Sequence, residues 1–180
     1  MRKGVLIAVS FIVLSFILSG NLFYPGNSGV SYAQPKGLEQ ATARAKELAA
    51  QAQAGVTEAE GKLAVARAAL DAARKRGDTA AEKAIQAAIG KLETNLAQIR
   101  EVAATATSLA AKVAQSKTVA GANAAVNSIS VAVKAIETVS SAMSAAVGVT
   151  VALGAGDTKA AETAARASGV AEKAATDALT

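Results

Sequence analysis

Asp78 and Glu82 are the nearest this sequence comes to an acid–base pair: four residues apart, two carboxylates can share one face of a helix. They stand where a helical stretch begins, however, and there capping and the positive helix end account for both. Glu58 and Glu60 are two apart, so a helix turns them away from each other. Arg67, Arg74, Lys75 and Arg76 form the one basic cluster of the body, a group able to hold a phosphate, an acidic polysaccharide or a lipid headgroup. At a helix C-terminus the same cations are explained by the negative helix end. Lys134 and Glu137, three apart, are the only charges between Thr118 and Gly156 and read as the wet strip of an otherwise apolar helix.

The reagents needed to turn such groups into a site are missing. Beyond Ala33 there is no histidine, cysteine or aromatic residue, and Phe11, Phe16, Phe23, Tyr24 and Tyr32 all precede it. A hydroxyl nucleophile lacks its usual base. A carboxylate metal site in a bundle lacks its Glu-x-x-His pairs. Single-stranded nucleic acid lacks a stacking platform, and a small-molecule pocket lacks aromatic lining. These residues point to a chain that is not an enzyme, with no catalytic residue, cofactor or metal, and with neither a nucleic acid nor a small-molecule substrate as partner. After residue 33 the 17 Lys and Arg exceed the 14 acids by only three, too weak an excess to imply nucleic acid.

The first residues carry an address. Met1-Arg2-Lys3 is followed by an uncharged apolar run from Gly4 to Leu18, then by a Pro- and Gly-rich break and Ser31-Tyr32-Ala33. A basic start, a short apolar run and a small-residue site predict a signal peptide over 1–33, cleaved before Gln34. The chain is thus expected to be exported, periplasmic or extracellular; the alternative is an uncleaved anchor over residues 4–23. Without cysteine, stability outside the cell must come from helix packing or assembly rather than disulfides.

The elements that would position any side chain are helices. Residues 34–180 read as a single Ala-rich all-α domain, an antiparallel helical bundle of coiled-coil-like long helices, most simply 38–76, 79–117, 120–152 and 158–178. Leu38, Ala41, Ala45, Leu48 and Ala52 alternate at three and four, and the stripe continues across Gly55 from Val56 to Ala73. Thr57-Glu58-Ala59-Glu60 fits a capping box, but the unbroken stripe fits one kinked helix as well. Arg76-Gly77 reads as a stop, with a left-handed glycine cap, and Thr79-Ala80-Ala81-Glu82 as a capping-box restart.

Ile85, Ile89, Leu92, Leu96 and Ile99 form the cleanest heptad seam and the leading candidate for helix–helix association. Past Ile99 the stripe drifts to Val102, Ala106, Leu109 and Val113, a one-residue slip of register. Val119, Ala122, Val126, Ile129, Val133, Ile136, Ser140, Met143 and Val147 then alternate strictly. Gly156-Asp157-Thr158 echoes Gly77-Asp78-Thr79, which reads as one helix-start solution used twice. The last helix, 158–178, has almost no large apolar group and is expected to pack weakly.

Residues 138–156 carry no charge, and Ser140, Ser144, Gly148, Ala152 and Gly156 place a small side chain at every fourth position. That ridge suits close helix approach, either inside a soluble bundle where the helix is surrounded or in a membrane. Val147, Val149 and Val151 also alternate at period two, which would suit an extended end. The expectation is a non-catalytic exported structural or interaction protein, associating through helices with itself or with another envelope or extracellular protein. The alternative is a membrane-associated or membrane-inserting protein that uses residues 138–156.

Overall fold

The computed structural model describes residues 36–178, with side-chain surroundings through residue 169. The signal segment and its cleavage before Gln34 fall outside the described residues. Within them the chain is all-α: α1 (Lys36–Arg76), α2 (Thr79–Ala114), α3 (Val119–Ala155) and α4 (Thr158–Ala178), with no strand. The helices α1, α2 and α3 pack against one another, whereas α4 packs on α3. Short connections make successive helices antiparallel, so α1 and α3 run parallel.

The turns explain the helix limits. Gly77 adopts φ 70°, the left-handed conformation glycine takes without strain, and the amides of Gly77 and Asp78 bond back to Arg74 and Ala73. Asp78, not Thr79, then caps α2, its carboxylate accepting from the Ala81 amide at 3.0 Å. The same device recurs at the second Gly-Asp-Thr. Gly156 has φ 80°, and Asp157 accepts from the Ala160 amide at 2.9 Å. Between α2 and α3 the sequence reading carried the helix to 117; instead α2 stops at Ala114. Residues 115–117 form the turn that brings Thr118 into extended backbone, where its hydroxyl caps α3 at the Gly121 amide. The capping box at Thr57 goes unused: α1 is helical through Gly55, and the Thr57 hydroxyl bonds back to the Gln53 carbonyl. The period-two valines of α3 likewise stay helical, to Ala155.

One contiguous core runs through α1, α2 and α3. Every member of the seam Ile85, Ile89, Leu92, Leu96 and Ile99 is buried, with Leu92 fully so. Of the stripe expected after Ile99, Ala106, Leu109 and Val113 are buried, but Ala103 takes the place of Val102, so Ile99, Ala103, Ala106, Ala110 and Val113 keep four–three alternation without a slip. Val102 is only half-buried. In an interface built for close approach an alanine fills the seam, and the larger valine beside it lies at the edge. The α3 stripe also holds, from Ala122 to Met143, and extends to the buried Thr150 and Gly154. Alanines at most α1 core positions let that helix approach both neighbours closely.

Candidate functional site

Ladders of side chains fix how the helices meet. On the α1–α2 edge Glu60, Arg67 and Arg74, seven residues apart on one helix line, pair with Arg100 (2.7 Å), Glu93 (3.0 Å) and Glu82 (2.9 Å). The side chains are exposed, Glu82 partly so, and each pair contributes little stability, but the order of signs along α1 (−, +, +) matches the opposite signs on α2 only in this antiparallel register. Glu82 therefore reaches across to Arg74 while Asp78 caps its helix, and the two carboxylates form no acid–base pair.

The α1–α3 edge holds a different constellation. The Lys62 ammonium, almost withdrawn from solvent, donates to the Ser140 hydroxyl (2.6 Å), the Ser140 carbonyl (2.8 Å) and the Glu58 carboxylate (2.6 Å). The Ser140 hydroxyl in turn donates to Glu58 at 3.1 Å. Hydrogen bonds from Lys62 and then Ser140, with the Lys62 charge, hold the Glu58 carboxyl below its ordinary value. A lysine against a serine hydroxyl has the composition of a base and a nucleophile. Here, though, the Lys62 nitrogen is held by three oxygen acceptors at once, and Ser140 is only 6% exposed. The arrangement clamps α1 to α3. Ser140 was the signal in the sequence, a hydroxyl in an apolar seam that demands a polar partner; the partner, 78 residues away, had none.

At the far end of the same edge Arg76 donates to the carbonyls of Leu153 (2.7 Å) and Gly154. These belong to the last turn of α3, where the Leu153 carbonyl also accepts from the capping Gly156 amide. The basic cluster thus serves two helix ends, its own and that of α3.

The small-residue ridge does not form one packed face. Ser140 and Ala152 are buried, while Ser144, Gly148 and Gly156 are exposed. A four-residue spacing drifts around a helix relative to a three–four seam, so the five positions do not share one face. The close approach lies instead at Gly154, against Ala69. Nor is α3 surrounded: Val131 is 64% and Val151 46% exposed. Among the described residues α3 is the helix long and apolar enough to cross a membrane. Gln51, Ala54, Gly55, Glu58, Val133, Ile136, Glu137 and Ser140 line a shallow cleft of about 200 Å³ between α1 and α3. Among the described residues no cluster of acids could hold a metal ion.

Compared with protein-family models, with curated proteins and with solved structures, the chain finds no match.

Proposed function

We propose that this is a non-catalytic, exported helical protein that works by helix-mediated association, with another copy or with another envelope or extracellular protein. The observation that carries the reading is the state of α3. Three helices of its own chain pack on it, yet part of its surface stays open: Val131 and Val151 are exposed on different sides of the helix, and Lys134 and Glu137 are its only charges. The charges of the α1–α2 edge, by contrast, are paired within the chain. A long exposed helix surface with few charges and mostly small or polar side chains is one on which another helix can dock.

A second reading, membrane insertion through residues 138–156, is favoured by the length and composition of α3. Its orientation weighs against that reading. The large side chains Val126, Ile129, Val133, Ile136 and Met143 point inward, and Asn123, Asn127, Ser141 and Ser144 point outward, the reverse of a helix facing lipid. Fractionation of the native host followed by sedimentation of the soluble protein separates the readings. Association predicts an exported, soluble protein that begins at Gln34, and a thermal midpoint that rises with protein concentration if the partner is a second copy. Membrane-bound protein retaining Met1, or co-flotation with vesicles, overturns it.

A further inference from the structure

The exposed side of α3 contains a second strip at heptad spacing: Asn123, Asn127, Ser130, Lys134, Glu137, Ser141, Ser144 and Gly148 alternate at four and three, and all but the half-buried Ser130 are exposed. It runs for about 38 Å at 1.5 Å per residue. On one side lies the α1 edge, where Glu137 shares a cleft with Glu58; on the other lies α4, whose Ala164 stands beside Gly148. Ser130, Ser141, Ser144 and Gly148 are small enough to permit close approach of another helix at those positions. Its two charges are opposite in sign, three residues apart, and the only ones on α3.

We infer that a second copy of this chain packs antiparallel along the strip about a twofold axis between residues 135 and 136. This inference rests on the association reading and names its occupant. The charges select the geometry. A twofold operation exchanges the two helices, so Lys134 of each copy meets Glu137 of the other, giving two ion pairs from two residues. In the same register Ser130 faces Ser141, Asn127 faces Ser144 and Asn123 faces Gly148. Each hydroxyl or amide meets a group it can bond, or a glycine that leaves room for it. Parallel pairing in register would set lysine on lysine and glutamate on glutamate, which repel.

The test uses the protein purified after export. Sedimentation equilibrium should show a dimer, and Lys134→Glu should weaken it about tenfold or more by placing like charges together. Lys134→Glu combined with Glu137→Lys should restore it, since reversing both signs regenerates both pairs. The chain has no cysteine after export or before it, so disulfides report geometry without background. A mixture of Ser130→Cys and Ser141→Cys should cross-link as a heterodimer, whereas Ser130→Cys alone should not, because antiparallel packing holds its two copies roughly 16 Å apart along the axis. Cross-linking of Ser130→Cys with itself would establish parallel packing and overturn the proposal. A dimer indifferent to both charge variants would overturn this surface while leaving self-association standing. A wild-type monomer at every concentration overturns the self-pairing and leaves association to a different protein.

Discussion

The backbone of Gly154 on α3 lies directly against Ala69 on α1: a Cβ at 154 would fall 2.8 Å from the Ala69 Cβ and 2.9 Å from its Cα. Neither atom can swing aside, since one is backbone and the other a methyl fixed to it. Gly154→Ala should therefore destabilise the bundle by about 1–3 kcal/mol through overpacking. The control is Gly148→Ala, where an added Cβ meets only the Ala164 methyl at 3.9 Å, an ordinary contact. That change should be neutral or slightly stabilising in a helix. Equal denaturant midpoints for the two variants would mean α1 and α3 are further apart than described.

The seam should respond to truncation in proportion to burial. Leu92 is fully buried, so Leu92→Ala should cost about 2–5 kcal/mol, the range for a leucine cavity. Arg67 is 60% exposed in its pair with Glu93, and Arg67→Ala should stay within about 0.5 kcal/mol. Chemical denaturation of both variants compares them directly, and two small effects would place the seam in solvent.

The clamp at Ser140 should make stability depend on acid. Lys62 and Ser140 depress the Glu58 carboxyl in the folded state. A depressed folded value means the unfolded chain takes up the proton first. The contribution of Glu58 is therefore present above about pH 4.5, its ordinary value, and is lost as pH falls through the lower folded value. Glu58→Gln should flatten that part of the stability–pH curve. An unchanged curve would show that the three groups do not meet in solution.

Arg76 should matter to a helix other than its own. Its guanidinium spans the Leu153 and Gly154 carbonyls, a forked contact a lysine cannot reproduce. Arg76→Lys should retain the charge yet lose about 1 kcal/mol, and Arg76→Ala about 1–2 kcal/mol. Amide exchange should quicken at Gly156 and Asp157, whose amides close the same end of α3. Exchange quickened only around Gly77 would confine Arg76 to its own turn.

Local chemistry along the chain was enough to determine the four helices and the two Gly-Asp-Thr turns, but not the turn at 115–117. Gly77 and Gly156 permit a left-handed residue, Asp78 and Asp157 follow each as caps, and three–four alternation marks the buried side of α2 and α3. Such signals act within a few residues, so they are written where they are read. The fit between helices is a different quantity. Whether Ala103 or Val102 occupies the seam depends on the space a neighbour leaves, and residue size along one strand of sequence pointed to the wrong one. Lys62 and Ser140, Arg76 and Gly154, and Ala69 and Gly154 meet across roughly eighty residues because α1 and α3 run parallel beside each other. The placement of α4 on α3 likewise set which side of α3 stayed open. Burial of one helix face is favourable against many surfaces, and only the assembled bundle selects which surface it meets and which residues are left facing outward.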